Sequence, residues 1–198
     1  MTTSSPDLHT LLSNIDALNQ QDPTQVVTDA GEQIGSEVLY SQRMRDRLQQ
    51  FKPDSSELLQ IAAYSQHIQR WAIPRSDYPM TRPGYKQWRT ELGKFYAETT
   101  ATLMEEHGYD EESRERVKYL LQKKSLKRDP ETQPLEDVIC LVFLEFYLES
   151  FASKHDEEKL IGIIQKTWNK MSEAGHQAAL ELPLNEQLFA LVKKALNI

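Results

Sequence analysis

The stretch Pro134-Leu135-Glu136-Asp137-Val138-Ile139-Cys140-Leu141-Val142-Phe143-Leu144 decides the fold. Proline suits the first turn of a helix, where its missing N–H is not needed, and acids in that turn complement the helix dipole. From Val138 to Leu144 the chain is apolar on every side of a helix, and such a helix has to be buried all round. The reading is a buried central helix near 134–152 with other helices packed about it.

Helical spacing recurs on both sides of this stretch. Leu8, Leu11, Leu12, Ile15 and Leu18 line one face of a helix opening at Pro6 after Ser5. A second helix runs from Ser36 to Phe51, ended by Pro53, and a third starts where Asp54 and Glu57 have capping-box spacing. That third helix is expected to continue through Ile61, His67, Ile68 and Trp71 until Pro74 stops it. After a proline-rich loop, a fourth extends to His107, with Gly108 placed to terminate it, and Asp110 caps a fifth. Two more occupy about Asp156–Met171 and Asn185–Leu196, while Asp22–Gly35 is polar and ambiguous. No convincing period-two strand is present, so the expectation is one all-α domain over residues 1–198, with roughly seven to nine helices.

Composition narrows the function classes. With 23 Lys+Arg against 30 Asp+Glu the net charge is −7, which argues against a general nucleic-acid coat. No apolar run reaches the roughly 18 residues of a membrane span, no signal-peptide pattern opens the chain, and the single cysteine, Cys140, excludes an internal disulfide. A cytoplasmic protein without membrane or nucleic-acid partners is the expectation. Cys140 itself reads as a core residue, since its apolar surroundings do not favour a thiolate. There is no glycine-rich phosphate loop, paired CxxC, HExxH or GxSxG.

Positive charge is nonetheless concentrated. Residues 66–94 hold Arg70, Arg75, Arg82, Lys86, Arg89 and Lys94 against Asp77 and Glu91, and residues 114–128 hold seven basic side chains against Glu115. Such runs are often ordinary solvated faces; here they also permit a local anion site. On a continuous helix His67, Arg70 and Trp71 share one face, placing a titratable group, an anion binder and a flat aromatic together. Trp88 and Arg89 follow on the next helix.

The runs Gln66-His67-Ile68, Arg70-Trp71, Ile73-Pro74-Arg75, Tyr78-Pro79-Met80, Gly84-Tyr85 and Trp88-Arg89 resemble an uncharacterised family catalogued as domain of unknown function 4202. So do Leu135-Glu136-Asp137-Val138, Cys140 to Glu145, and Lys166-Thr167-Trp168 with Lys170-Met171-Ser172. This resemblance covers nearly the whole chain and implies no established activity. The chain departs from the family pattern at Tyr96, where a histidine is common. A more distant resemblance is to the HD-type helical, metal-dependent phosphohydrolases. It implies an HD-like bundle in which His67 is the first metal ligand and Asp137 the last, with Lys123 or Lys124 where some such enzymes carry further histidines. The central His-Asp pair of that pattern is absent, so the divalent-metal ligand set is incomplete. The chain's own His155-Asp156 pair follows the buried helix, and there Asp156 reads as a helix cap.

These residues together suggest a hydrolase acting on a small phosphorylated or nucleotide-like substrate. Gln66, Arg70, Trp71, Arg75, Arg82, Trp88, Arg89, Lys123 and Lys124 would bind it. His67 would act as acid, base or metal ligand, with Asp137 and Glu136 orienting it. Two alternatives stay open at this point: a non-catalytic binder of the same anions, and a protein-interaction module built on the Trp and Arg side chains.

Overall fold

A computed structural model describes residues 6–28 and 30–197. The chain divides into two compact units, residues 1–124 and 125–198, and each is described by itself. The architecture is all-α apart from one short ribbon, with ten α-helices among the described residues. None of these helices is long and apolar enough to cross a membrane.

In the first unit, α1 (Leu8–Asn19) starts two residues after Pro6 because Asp7, rather than the proline, caps it by accepting the His9 N–H; Ser5 lies outside the described residues. The polar Asp22–Gly35 stretch forms an antiparallel ribbon of β1 (Gln25–Val27) and β2 (Gln33–Gly35), with Val26 opposite Ile34. Helix α2 (Ser36–Phe51) has the expected bounds. Gly35, just before it, comes so close to α1 that a Cβ there would lie 2.3 Å from the Asn19 carbonyl oxygen, so only glycine fits.

Helix α3 (Glu57–Tyr64) is capped by Ser56, whose hydroxyl accepts the Leu59 N–H, and it ends far earlier than its periodicity suggests. Tertiary contacts intervene: the Ser41 hydroxyl takes the Tyr64 carbonyl, and the buried Asn19 side chain accepts the Gln69 N–H. Gln69 consequently sits in the left-handed region at φ 45°, and a single 3-10 turn follows over Arg70–Ala72. The shared helical face expected for His67, Arg70 and Trp71 therefore does not exist. Helix α4 (Arg82–Glu106), capped by Thr81, packs along α5 (Glu111–Leu121), capped by Asp110. Leu59, Ile61, Ile68, Leu92, Met104, Val117 and Leu120 are fully buried between these helices and α1 and α2.

The second unit contains the stretch from which the fold was read. Helix α6 (Thr132–Val142) passes through a π-helical turn at Phe143–Tyr147 into α7 (Leu148–Ala152), so the expected rod near 134–152 is present. Leu135, Val138, Cys140, Leu141, Val142 and Leu144 are buried, whereas Ile139 and Phe143 keep part of their surface exposed, so burial is not complete on all sides. Around this rod lie α8 (Glu157–Trp168), α9 (Glu173–Leu180) and α10 (Glu186–Leu196). Asp156 caps α8 by accepting the Lys159 N–H, which fixes its role as structural.

Candidate functional site

In the first unit, the N-terminus of α2, the 3-10 turn at Arg70 and the start of α4 enclose an open cleft of about 320 Å³. Asp22, Thr24, Ser36, Glu37, Arg70, Trp71, Ile73, Pro74, Arg75 and Trp88 line it. Gly35 has no side chain with which to cap α2, and Asp22 does so instead. Its buried carboxylate accepts the Glu37 N–H at 3.2 Å and the Thr24 N–H at 2.8 Å, tying ribbon to helix.

Glu37 and Tyr40 lie one turn apart on α2, and both engage His67. The imidazole stacks on the Tyr40 ring, with centroids 3.8 Å apart and an 11° interplanar angle. Its Nδ1 is 3.1 Å from Glu37 Oε2, and its Nε2 is 3.3 Å from Arg70 Nη1. A guanidinium can only donate, so Nε2 must be the acceptor, and the ring proton resides on Nδ1, where it is donated to Glu37. Burial, reinforced by the positive charges of Arg70, Arg89 and Lys123, holds the His67 pKa well below its ordinary value, so the ring is neutral. Burial also pushes Glu37 up to about 7; Arg70 opposes the shift and Asp22 adds to it.

Arg70 Nη1 also donates to the hydroxyl of the buried Tyr96 at 3.4 Å, and its guanidinium lies 4.8 Å from the Trp88 ring centroid. Burial raises Tyr96 to about 12, so it stays a phenol. Arg75 stands over Trp88 and Tyr85 at 5.9 and 6.0 Å, and donates to the Tyr78 and Pro79 carbonyls. Trp88 in turn donates its indole N–H to the Ile73 carbonyl at 2.8 Å. The loop before α4 is thereby strapped to the 3-10 turn, and two guanidinium groups share one indole.

The residues expected from sequence fall into three groups. Arg70, Trp71, Arg75 and Trp88 line the cleft. His67 lies behind its wall, joining Glu37 to Arg70, while Arg89 and Lys123 act on it through their charge. Gln66 is buried, Arg82 is exposed at the start of α4, and Lys124 stands 5.9 Å from the Tyr119 ring; none of these is among the lining residues.

Asp137 and Glu136 belong to the second unit. Asp137 accepts the Ser172 N–H and hydroxyl, both at 2.7 Å, and the Gln133 amide at 3.1 Å. Buried Glu136 pairs with Lys170 at 3.4 Å. Asp137 thereby anchors Ser172, the N-cap of α9, and Glu136 pairs with the turn just before it. The metal site implied by the HD-type resemblance does not fit these residues. Both His67 nitrogens are engaged, one by a cation, and no group of three or more His, Cys, Asp or Glu side chains is placed to hold a metal among the described residues. Glu37 and Asp22 escape sequence reasoning, because each looks like an ordinary acid near a helix start.

A family model described as domain of unknown function 4202 matches residues 9–192, so the chain belongs to that family. No curated protein and no solved structure matches it.

Proposed function

We propose that this member of the family of domain of unknown function 4202 binds a small phosphate-bearing ligand with a flat ring in the cleft of its first unit. The observation that carries the reading is the state of Arg70. Its Nη1 makes both of the side chain's hydrogen bonds, which leaves Nε and Nη2 without a partner among the described residues, on the wall of an open cleft. A guanidinium held on an indole face, with one edge free, suits the paired oxygens of a phosphate. Trp71 adds an aromatic surface for a ring, and about 320 Å³ accommodates a molecule the size of a nucleotide.

A second reading, phosphoester hydrolysis, is favoured by one observation: Glu37 titrates near 7 on the cleft wall, as a proton acceptor for an attacking water would. Thermal unfolding of wild type and Arg70→Ala with inorganic phosphate, pyrophosphate and nucleoside phosphates tests the first reading. A ligand at about 100 times its Kd adds about 2.7 kcal/mol, so a rise in Tm with phosphate compounds is expected in wild type and not in Arg70→Ala. A flat panel, or an equal rise in the variant, overturns the proposal. Phosphate release from a stabilising ester would establish the second reading, and its absence would remove it.

A further inference from the structure

Glu37 is an unexpected wall for a site that takes anions. Its side chain keeps 15% of its surface exposed, and the carboxyl uses Oε2 for the His67 Nδ1–H. No partner holds Oε1 among the described residues, and both Glu37 and Arg70 line the cleft. Resting on the anion-binding reading above, we propose that Glu37 makes the cleft selective for a tetrahedral oxyanion that brings its own proton. Hydrogen phosphate, or a phosphate monoester in its protonated monoanionic form, is then accepted over sulfate and sulfonates.

The argument is one of donors and acceptors. An ionised carboxylate only accepts, and sulfate at neutral pH only accepts, so placing sulfate against Glu37 sets lone pairs and like charges against each other. Hydrogen phosphate carries a P–O–H that can donate to Oε1 while its remaining oxygens take the free edge of Arg70. A site built to pair with a ligand hydroxyl discriminates against an analogue lacking it, because the site's own group is left unpaired.

The surroundings of Glu37 support this division of labour. From the ribbon, Asp22 spends both carboxylate oxygens on the backbone N–H groups of Thr24 and Glu37. His67 has its only N–H on Glu37 already, and it stays neutral through the range of interest. Arg70 is the cation facing the carboxyl, and Arg89 and Lys123 add positive charge behind His67. The carboxyl titrates at about 7, close to the second ionisation of a phosphate group, so one proton can be shared between them near neutrality.

Sulfate can still enter if Glu37 itself carries the proton, which sets the size of the effect. With ionisation at about 7, the protonated fraction of Glu37 falls from about one half at pH 7 to about one tenth at pH 8, and sulfate affinity should fall with it. Hydrogen phosphate keeps its own proton and should not follow. Tryptophan fluorescence of the full chain, titrated with sodium phosphate and with sodium sulfate at matched ionic strength, reads this at pH 7 and pH 8 on wild type and Glu37→Gln. Wild type is expected to lose about fivefold in sulfate affinity between these pH values while phosphate affinity changes less than twofold. Glu37→Gln should bind both ions without that divergence. Equal pH dependence of the two ions in wild type overturns the selectivity but leaves anion binding standing, as does a divergence that persists in Glu37→Gln. If neither ion perturbs wild type, anion binding itself fails and the selectivity with it.

Discussion

Replacing Glu37 by Gln should change how stability depends on pH, and the size of the change follows from the burial of this carboxyl. In the unfolded chain Glu37 ionises at its ordinary value of 4.5; in the fold it holds its proton until about 7. Between these values the native state binds more protons than the unfolded state, so stability falls as pH rises and levels off above 7. A displacement of two to three pH units at about 1.4 kcal/mol each costs about 3 kcal/mol at pH 8 relative to pH 4.5. The side chain is shielded enough, at 15% exposure, for solvent screening to leave most of that cost in place. Gln keeps an oxygen for the His67 Nδ1–H but cannot ionise, so the cost disappears.

His67 works in the opposite sense. Its folded pKa lies below its unfolded value, so the stability tied to its neutral form is present above pH 6.5 and lost as pH falls below it. Burial raises Asp16 and Asp137 in both proteins, and their contributions cancel in the comparison. Urea unfolding, followed by tryptophan fluorescence at pH 5 and pH 8, should show Glu37→Gln gaining on wild type by about 2.5 kcal/mol across that interval. Parallel pH profiles for the two proteins would refute the burial of a proton at Glu37 and, with it, the electrostatics assigned to the cleft.

Other perturbations have outcomes of their own. Gln69→Gly relieves a left-handed backbone at φ 45° and should raise stability by about 0.5–1 kcal/mol net of the greater freedom glycine has when unfolded; a lower urea midpoint would contradict the strain. Asp137→Ala removes the acceptor for the Ser172 N–H and hydroxyl and should cost about 2–3 kcal/mol, read through the fluorescence of Trp168 in the second unit. Gly175→Ala should be destabilising by a different route, because its Cβ would meet Asp137 Oδ1 at 2.6 Å; an unchanged Tm would show that the carboxylate swings away. Brief trypsin treatment should cut first between Lys123 and Arg128. Positive φ recurs there at Lys123, Ser125 and Lys127, and Lys124, Lys127 and Arg128 are exposed; first cuts inside α4 would contradict the two-unit description.

Much of the helical framework is legible in local sequence. The bounds of α2, the caps Asp110, Asp156 and Asn185, and the end of α4 before Gly108 all follow from cap and breaker residues within one turn of the helix end. What escapes such reading depends on contacts distant in the chain. No Gly or Pro stops α3 at Tyr64; Ser41 and Asn19 do so, from more than twenty residues away. The ribbon before α2 is too short and too polar to announce itself, and Asp22 and the glycine contact at Gly35 fix it in place.

The candidate site divides in the same way. Arg70, Arg75, Trp71 and Trp88 stand out as residue types, and they do meet in one cleft. The significance of Glu37 arises only when the fold buries it against His67 and beside Arg70, which no spacing in the chain reveals. Asp137 illustrates the converse. A buried acid beside a helix start reads as chemistry in sequence, and its three hydrogen bonds explain it as an anchor.

The most direct test of a phosphate-binding cleft uses the three indole N–H groups as internal reporters. Trp71 and Trp88 line the cleft of the first unit, and Trp168 belongs to the second. In a nitrogen–proton correlation spectrum of the full chain titrated with a nucleoside monophosphate, the Trp71 and Trp88 indole signals should move saturably while Trp168 stays fixed. The movement should vanish in Arg70→Ala. Stationary Trp71 and Trp88 signals, or a shift that survives in Arg70→Ala, would contradict the assignment.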